Sequence, residues 1–460
     1  MNVLLIQPRI KKSEKAYPLG LGYVGAALIQ RGHKVWGRDL SFTSLDAVYS
    51  LIDRENIGLI IASVMFYGIN QVFYDFKNVL SFCRKIKDNN PLPIVLGGLY
   101  ARAFKEKLFY EYKDYFDYLI LGEDEFTISE LADSLDEKRP LKEIDNLIFK
   151  DNGQMIINKC ANKILNLDCY PYIDRKLFPI FKYKGMFTKN NNYTQIITSR
   201  GCNWHCSYCP QPFLEGTWKG FSIGRVIDEI RSITATFGIR EFHIEDANFF
   251  GGGTERVKNF CLKLIENKLD IKWQCPNGIP VSDFKDESIL KLMVQAGCYS
   301  LCLGIETFDR KILERVNRVS DFKAVQRIVR LAQKEGLEVT GYFIIGFPGQ
   351  TKKSIKRDIY LSRKLGLDFI HYSIFRLIPG SEIYSDYHKD LDTREGTKKN
   401  RYFPELTLGT LRRSRTLASL FNCLQPRVFL FILKSLIIVR NPFRFLRRGI
   451  GYLLGIDLKF

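Results

Sequence analysis

Two series of short apolar segments, each segment followed by a helical pattern, constrain this chain more than any other feature. In the first series, five apolar runs bounded by glycine, proline or charged residues alternate with helical segments over residues 1–135. Continuous apolar strands separated by helices predict a parallel sheet covered on both faces. We therefore expect an α/β, doubly wound, Rossmann-like N-terminal domain that binds ligands outside the carboxyl ends of its strands.

A second series begins near residue 191. Its six strand candidates are TQIITS, EFHIED, DIKWQC, YSLCLGIE, VTGYFIIG and DFIHYSIF. The helix predicted over residues 222–237 has its isoleucine, valine and phenylalanine residues on one face. Six strand–helix units fall short of a closed eight-stranded barrel. We expect residues 191–390 to form a partial (β/α)6 TIM-like barrel with its active site at the carboxyl ends of the strands.

The remaining segments differ from both series. Residues 136–190 are predicted to be a connector that contains a hairpin, NLIFKDNGQMIIN, and the proline-bearing stretch LDCYPYIDRKLFP. Residues 391–460 are predicted to form a helical, basic C-terminal region. Its run VFLFILKSLIIV is interrupted by Lys434 and is too short for a bilayer span of ~20 residues.

The formal net charge of +19 gives more information on possible binding partners than on the fold. Residues 401–460 carry eleven Lys and Arg against two acidic residues. Nucleic acid, an anionic lipid surface or an acidic substrate would each account for this excess, and so would a solvated basic face. The first residues lack the pattern of a secretory signal, so a cytoplasmic protein is expected. Irregularly spaced cysteines argue against a disulfide framework, and most, such as Cys83 and Cys261, are expected to be buried.

Three cysteines follow the first strand of the second series within eight residues. Cys202, Cys206 and Cys209 have the spacing C-x3-C-x2-C, which lets one loop surround one group. A structural zinc site takes four protein ligands, and His205 is poorly placed as the fourth because it adjoins Cys206. An iron–sulfur cluster with four irons usually takes four thiolates. Three thiolates would leave one iron open, as a reactive cluster requires.

With Tyr208 before the last cysteine, this motif resembles that of the radical S-adenosylmethionine (SAM) enzymes, over about residues 190–390. The resemblance implies that Cys202, Cys206 and Cys209 hold a 4Fe-4S cluster whose open iron binds the amino and carboxylate groups of SAM. Reduction of the cluster by a flavodoxin or ferredoxin type of electron donor then cleaves SAM. The products are methionine and a 5′-deoxyadenosyl radical, which abstracts hydrogen from carbon.

The resemblance also implies SAM contacts at the ends of three later strands. Asp246 is the first candidate for the amino group, and Glu245 and Asn248 are the next, although the usual Gly-Gly-Glu is absent here. Glu306 in LGIET is the candidate for the ribose. Gly346 and Pro348 in GFPGQT are candidates for letting the backbone approach the adenine. Each carboxylate has the simpler alternative of a surface or helix-capping role.

A glycine pattern in the first series suggests two different cofactors. Gly20, Gly22 and Gly25 form G-x-G-x-x-G, and Asp39 follows, as in a dinucleotide site. That fingerprint places its glycines directly after the first strand, whereas the segment Pro8–Pro18 intervenes here. The sequence therefore disfavours a nicotinamide or flavin cofactor.

The ordered pieces PLGLGYVGAAL, GHKV, IIASV, VLGGLYA and DYLILGEDE instead resemble the cobalamin-binding domain that precedes the barrel in one class of radical SAM enzymes. The resemblance implies a base-off cobalamin whose nucleotide tail enters the sheet and whose corrin faces the barrel. A D-x-H-x-x-G motif for a lower histidine ligand is absent. The candidate cobalamin contacts are Gly20, Gly22, Gly97, Gly98, Gly122 and Glu123.

The resemblance implies a cobalamin-dependent radical SAM enzyme, in its commonest form a methyltransferase that acts at an unactivated carbon through methylcobalamin. Two alternatives stay open: a non-methylating member that cyclises, rearranges or oxidises carbon, and a cobalamin-binding sensor or scaffold with an inert cluster. An RNA methylthiotransferase is disfavoured because the extra N-terminal cysteines of that class are missing, so no nucleic acid is expected as partner.

The substrate is expected to be a small molecule or lipid-like. The C-terminal region is predicted either to pack on the open side of the barrel or to make peripheral membrane contact.

Overall fold

The computed structural model describes residues 1–9, 16–64, 72–122, 124–161, 166–185, 188–387 and 406–423. Contacts divide the chain into two units. Unit 1 consists of Met1–Gln195 with Ser232–Ile239, and unit 2 of Ile196–Arg231 with Arg240–Phe460. Both units alternate strands with helices around a mainly parallel sheet, which confirms the predicted α/β fold class.

Seven strands form the sheet in the described part of unit 1. They are β1 (Asn2–Gln7), β2 (Lys34–Asp39), β3 (Leu59–Ser63), β4 (Ile94–Gly97), β5 (Tyr118–Ile120), β6 (Leu147–Asp151) and β7 (Gln154–Ile157). Their order is β2-β1-β3-β4-β5-β6-β7, and the first five pair in parallel. The winding reverses between β1 and β3, where doubly wound sheets of this order bind their ligands.

Within the described ranges, five α-helices connect the strands of unit 1. They are α1 (Leu19–Gln30), α2 (Leu45–Arg54), α3 (Val72–Asn89), α4 (Leu99–Tyr112) and α5 (Asp124–Glu137). Ser44 caps α2 by accepting a hydrogen bond from the backbone N–H of Ala47 at 3.3 Å. The helix then buries Val48, Leu51 and Ile52 in the core of the unit.

The hairpin predicted within the connector is present, and its strands also belong to the sheet of unit 1. β6 and β7 pair antiparallel, and β6 also pairs antiparallel with β5, where Leu119 lies opposite Ile148. The hairpin therefore extends the sheet of unit 1 by two strands. Hydrophobic periodicity identified the strands but gave no indication of which edge they would join.

Among the residues that the structure describes, eight strands belong to the second series. They are β8 (Thr194–Ile196), β9 (Ser199–Arg200), β10 (Lys219–Gly220), β11 (Glu241–Ile244), β12 (Lys272–Ile279), β13 (Cys298–Glu306), β14 (Glu338–Ile345) and β15 (Phe369–Ile374). Six form a sheet with the order β15-β14-β13-β12-β11-β8, in which β11 to β15 pair in parallel. All six lie at the predicted apolar runs. The short antiparallel ribbon of β9 and β10 was not predicted.

In the part of unit 2 and its flanking segment that the structure describes, nine α-helices accompany these strands. They are α6 (Gln211–Leu214), α7 (Ile223–Phe237), α8 (Thr254–Glu266), α9 (Ile289–Gln295), α10 (Arg310–Arg315), α11 (Phe322–Lys334), α12 (Lys352–Lys364), α13 (Glu382–Tyr387) and α14 (Leu408–Cys423). Thr351 and Ser354 form a reciprocal capping box that fixes the start of α12. α14 packs against β15 and α12.

Much of the predicted basic C-terminal region, including VFLFILKSLIIV, lies outside the described residues. In the part of the chain that the structure describes, no helix has both the length and the apolar character needed to cross a bilayer. Cys83 and Cys261 are fully buried, as expected for small hydrophobic residues.

Candidate active site

The three cysteines lie in a loop that the β9–β10 ribbon closes at its base. Gly201, just before Cys202, has a φ of 74°. A Cβ atom there would lie 2.4 Å from the carbonyl oxygen of Thr217, so only glycine fits. The backbone N–H of Cys202 donates to the carbonyl of Gly216 at 3.2 Å, which ties the start of the cysteine loop to its end.

The cysteine loop also docks on the segment that follows β11. The indole N–H of Trp218 donates to the carbonyl of Asn248 at 3.0 Å, and the Asn203 amide donates to the carbonyl of Gly251 at 2.8 Å. A Cβ atom on Gly251 would lie 2.2 Å from the Trp218 ring. The glycines after β11 therefore make room for a tryptophan that holds the cysteine loop.

Each cysteine sulfur has a hydrogen-bond donor nearby. The backbone N–H of Trp204 lies 3.4 Å from Sγ of Cys202, and Nη1 of Arg318 lies 3.8 Å from Sγ of Cys206. The backbone N–H of Gln211 hydrogen-bonds the Cys209 thiol. Hydrogen bonds to sulfur are one of the means by which proteins tune iron–sulfur clusters.

Burial raises the pKa of all three thiols, that of Cys209 to about 12. Burial therefore disfavours the thiolate form at these positions. A positive partner, such as the Arg318 guanidinium or iron, favours it. The loop thus offers three ligands that ionise when a metal group binds.

Arg318 follows α10, and its side chain reaches the cysteine loop. Its Nη2 donates to the carbonyl of Gly304 at 3.0 Å and lies 3.9 Å from Oε1 of Glu306. Its guanidinium also lies 5.6 Å from the centre of the Trp204 ring. Burial acts to lower the pKa of Arg318, but Tyr208, Glu306 and Cys206 together outweigh it, so the pKa is raised. Arg318 is therefore a permanent buried cation beside Cys206.

Glu306 is the last residue of β13, where the sequence analysis placed it. It has a φ of 66° and is 9% exposed. Burial raises the pKa of this carboxyl, while Arg318 and a hydrogen bond with Tyr208 act to lower it. A non-glycine residue at positive φ occurs mostly where surrounding contacts hold it. Tyr208, the aromatic residue of the cysteine motif, therefore contacts the residue predicted to bind ribose.

Asp246 follows β11 and is 2% exposed. Its carboxylate accepts hydrogen bonds from the backbone N–H of Thr198 at 2.6 Å, the Thr198 hydroxyl at 2.5 Å and the Ser199 hydroxyl at 2.6 Å. Burial raises its pKa. Asp246 thus fixes the chain just before the cysteine loop. The predicted contact with the SAM amino group stays a prediction.

Asn248 is also buried, at 4% exposure. Its side-chain oxygen accepts from the backbone N–H of Phe250 at 3.1 Å, and its side chain hydrogen-bonds Asp283. Asp283 in turn accepts from the indole N–H of Trp204 at 3.2 Å. Asn248 therefore joins the segment after β11 to the cysteine loop through Asp283.

The loop after β14, which is predicted to lie against adenine, begins with a backbone conformation that favours glycine. Gly346 has a φ of 90°, and a Cβ atom there would lie 2.7 Å from Leu411 on α14. The carbonyl of Pro348 accepts a hydrogen bond from Arg315 at 3.3 Å. The ring of Phe347 lies 5.4 Å from that of Tyr208, so this loop also contacts the cysteine motif.

The donor set of the cysteine loop fits a cluster better than a single ion. Among the described residues, no group of three His, Cys, Asp or Glu side chains could hold one metal ion. His205, considered above as a fourth zinc ligand, is exposed. A cluster of several irons offers its ligand positions on separate corners, so its cysteines lie further apart than those around one zinc.

In unit 1, the buried side chain of Gln7 lies near the point where the strand order of the sheet reverses. Gln7 ends β1 and is 2% exposed, and within the described ranges its Oε1 has no hydrogen-bond partner. β4 ends nearby in the sheet at Gly97, and Gly98, with a φ of 102°, starts α4. An unsatisfied buried acceptor at a strand end is costly unless a ligand satisfies it. Gln7 therefore fits a polar ligand group at the switch point.

Two other glycines of unit 1 meet protein side chains. A Cβ atom on Gly22 would lie 2.7 Å from Ile173, and one on Gly122 would lie 2.4 Å from Asn146. Gly20 is exposed at the start of α1, and a Cβ atom there would meet nothing within 4 Å. Glu123 lies outside the described residues. The cobalamin contacts predicted for these four residues stay predictions.

Asp39 has a structural explanation that replaces the dinucleotide interpretation. Its carboxylate accepts from the backbone N–H of Ser41 at 2.7 Å and from the Tyr183 hydroxyl at 3.1 Å. α1 begins at Leu19, so the segment Pro8–Pro18 separates the glycines from β1, as the sequence indicated. The glycines therefore do not form the tight turn after β1 that a pyrophosphate site needs.

Comparison with protein families shows a match to the Radical SAM superfamily over residues 196–359. This range contains the cysteine loop and the ends of β11, β13 and β14. The chain contains a radical SAM domain. The match confirms, for this part of the chain, the resemblance predicted from the cysteine motif.

Similar proteins extend this comparison beyond the radical SAM domain. An uncharacterised methyltransferase of Pyrococcus horikoshii is 28% identical over 396 residues, which cover 84% of this chain and 82% of that protein. The cytidylyl-2-hydroxyethylphosphonate methyltransferase of Streptomyces wedmorensis is 24% identical over 441 residues, with 83% and 80% covered.

Two solved structures share the fold across both units. The radical SAM methyltransferase TsrM from Kitasatospora setae, with cobalamin and a 4Fe-4S cluster bound, aligns with a TM-score of 0.70 at 20% identity, covering 83% of this chain and 73% of that one. The cobalamin-dependent SAM radical enzyme OxsB, with aqua-cobalamin and SAM bound, aligns with a TM-score of 0.72 at 15% identity, covering 97% and 70%. These likenesses confirm the fold predicted for a cobalamin-dependent radical SAM enzyme.

Three residues that contact the cysteine loop or the loop after β14 carry no signal in the sequence. Arg318 lies in an unremarkable basic segment after α10, and Trp204 was not singled out within its motif. Gln350 was quoted within GFPGQT, but its amide was given no function. None of them has a spacing signal, because each acts through contacts with residues distant in sequence.

Proposed function

We propose that this protein is a cobalamin-dependent radical SAM methyltransferase that acts at an unactivated carbon of a small molecule. The observation that carries the proposal is the cysteine loop itself: Cys202, Cys206 and Cys209 each have a hydrogen-bond donor, and Arg318 is a buried cation beside Cys206. The methyltransferase names of two relatives, each aligned over most of its length, support the type of reaction.

In unit 2, the described residues would bind and orient two partners of the reaction. The three cysteines would hold a 4Fe-4S cluster, while Arg318 would offset the negative charge of the thiolate-bound cluster. Glu306, held at a positive φ, would accept hydrogen bonds from ribose hydroxyls. The segment from Gly346 to Pro348 would pack its backbone against adenine, and Tyr208 would separate this loop from the cluster.

In unit 1, cobalamin would occupy the carboxyl edge of the parallel strands. Gln7 would satisfy its buried oxygen with a donor group of the nucleotide tail, and the backbone at Gly97 and Gly98, which lacks side chains, would leave room for the tail at the end of β4. When bound, the reduced cluster and SAM supply a 5′-deoxyadenosyl radical, and cobalamin carries the methyl group. The protein positions these cofactors and excludes water from them.

The methyl step is tested with SAM whose methyl group carries an isotopic label. Protein purified without oxygen, with its cluster reconstituted and cobalamin bound, is incubated with labelled SAM and a reductant. We expect the label on the bound cobalamin. If 5′-deoxyadenosine forms while no label reaches cobalamin, the enzyme belongs to the non-methylating alternative.

Partners beyond the cofactors follow from the same proposal. Relatives and fold favour a small-molecule substrate, and a flavodoxin or ferredoxin type of protein would supply electrons to the cluster. A cytoplasmic location, with or without peripheral lipid contact through the basic C-terminal region, stays a prediction.

A further inference from the structure

One buried carboxylate holds the backbone that follows β13. Asp358, on α12, accepts hydrogen bonds from the Thr307 hydroxyl at 2.6 Å and from the backbone N–H of Phe308 at 2.8 Å. Both donors follow directly after Glu306, the residue proposed to bind ribose. Asp358 is 1% exposed and Thr307 is fully buried. The position of the β13 end therefore depends on this carboxylate.

The same carboxylate also reaches the loop after β14, through a single amide. Nε2 of Gln350 donates to Asp358 at 3.1 Å. The side-chain oxygen of Gln350 accepts from the backbone N–H of Gly346 at 2.5 Å and of Phe347 at 3.3 Å. Gln350 is 2% exposed. A continuous buried chain of hydrogen bonds thus joins the proposed ribose residue to the proposed adenine loop.

A carboxylate at position 358 is not needed for packing. Burial raises the pKa of Asp358 to about 6, against the lowering effect of its hydrogen bonds with Thr307 and Phe308. An apolar side chain on α12 would avoid this desolvation cost. What the carboxylate contributes is a set of acceptor positions that an apolar side chain lacks, and its donors come from both loops.

We infer that Asp358, acting through Gln350, is a positioning residue that sets the spacing between the two loops that hold SAM. The inference rests on the proposed function and goes beyond it, because it assigns SAM affinity to a side chain buried away from SAM. The hydrogen bonds of Asp358 go to Thr307, Phe308 and Gln350 and not to the cysteines proposed to hold the cluster. Its loss therefore weakens SAM binding and leaves the cluster in place.

The first test replaces Asp358 by asparagine. The asparagine amide nitrogen takes the place of one carboxylate oxygen, and it cannot accept the hydrogen bond that this oxygen accepts. After reconstitution of the cluster, we expect Asp358→Asn to bind SAM about tenfold more weakly than wild type, because one charge-assisted hydrogen bond is lost. The content of iron and sulfide per chain should be unchanged. In the SAM-free protein, backbone amides of residues 307–309 and 346–350 should exchange hydrogen faster than in wild type.

The matched control is Ser362→Ala on the same helix. Ser362 is fully buried, and its hydroxyl hydrogen-bonds Tyr372 of β15 at 2.5 Å, away from both loops. We expect this variant to lose some stability and to keep wild-type SAM affinity and loop exchange. Equal weakening of SAM binding in Ser362→Ala and Asp358→Asn would reduce Asp358 to a general structural role and overturn the inference.

A second variant gives a signature that depends on pH. Gln350→Glu keeps the acceptor for Gly346 and Phe347 but places a second carboxylate beside Asp358, so the pair must share a proton. SAM affinity of this variant should fall as the pH rises from 6 to 9, because that proton is lost. Asp309 and Arg357, the other charged groups that face Asp358, are common to both proteins. The wild-type protein should show no such fall.

Each outcome has a distinct meaning. Wild-type SAM affinity and wild-type loop exchange in folded Asp358→Asn would overturn the inference. If that variant does not fold, the pH profile of Gln350→Glu decides, and a profile parallel to wild type overturns it. Wild-type protein that takes up iron and sulfide but binds no SAM contradicts the proposed function, and the inference with it.

Discussion

Nη1 of Arg318 lies 3.8 Å from Sγ of Cys206, although 112 residues separate them in sequence. The same guanidinium approaches Oε1 of Glu306 at 3.9 Å. One side chain therefore joins the cysteine loop to the end of β13. In the proposed function, this side chain would place a permanent positive charge beside a cysteine of the cluster and beside the residue proposed to bind ribose.

Replacing Arg318 by glutamine is expected to lower the reduction potential of the cluster. A nearby cation favours the more negative, reduced state. A charge-assisted hydrogen bond contributes about 1.5 kcal/mol, which corresponds to about 60 mV for a one-electron couple. A redox titration followed by electron paramagnetic resonance measures this shift. Arg318→Lys, which keeps the charge, should shift less, and an unchanged potential in Arg318→Gln would contradict the assignment.

Gly201→Ala is expected to abolish most cluster binding, because its Cβ atom would collide with the Thr217 carbonyl at the base of the cysteine loop. Gly216→Ala is the matched control. Gly216 has a φ of 77°, close to the 74° of Gly201, but nothing lies within 4 Å of its Cβ position. The control should lose only about 1–2 kcal/mol of stability and keep its iron. Equal iron content in both variants would show that closure of the cysteine loop at Gly201 does not determine cluster binding.

Asp246→Asn is expected to weaken SAM binding about tenfold more than Thr198→Val does. The carboxylate holds the hydroxyl and the backbone N–H of both Thr198 and Ser199, and in the proposed function its charge would also attract the SAM amino group. Thr198→Val removes one hydroxyl donor and leaves the carboxylate in place. Equilibrium binding of SAM to the reconstituted variants measures the difference. Similar affinities would mean that Asp246 only fixes the chain before the cysteine loop.

Removal of residues 424–460 is expected to leave liposome binding unchanged. α14 packs against β15, and Leu411 contacts Gly346, so a shortened chain should end after Cys423 to keep this packing. Flotation with anionic liposomes compares the full chain with the shortened one. Equal recovery in the floated fraction favours packing of the C-terminal region on the barrel, whereas recovery of the full chain alone would favour lipid contact.

The sequence predicted the parts of the fold that repeat. Continuous apolar runs located the parallel strands of both series, and cysteine spacing located the loop between β9 and β10. The strand-end positions of Asp246, Glu306 and Gly346 followed from the chain order of the strands. These predictions succeeded because each depends on a local pattern.

What the sequence did not predict depends on contacts between distant segments. Arg318 carries no spacing signal, and Asp358 reads as an ordinary polar residue within α12. The glycines after β11 depart from the family pattern, and only the structure shows Trp218 packed against Gly251. Likewise, the hairpin of β6 and β7 has no sequence feature that directs it to the edge of β5.

Formation of 5′-deoxyadenosine tests most directly whether Cys202, Cys206 and Cys209 hold a cluster that cleaves SAM. Protein prepared without oxygen, with iron, sulfide and cobalamin bound, is incubated with SAM and a strong reductant. We predict 5′-deoxyadenosine from wild type and none from Cys206→Ala, which should bind as much cobalamin as wild type. Wild-type protein with a full complement of iron and sulfide that forms no 5′-deoxyadenosine would contradict the account.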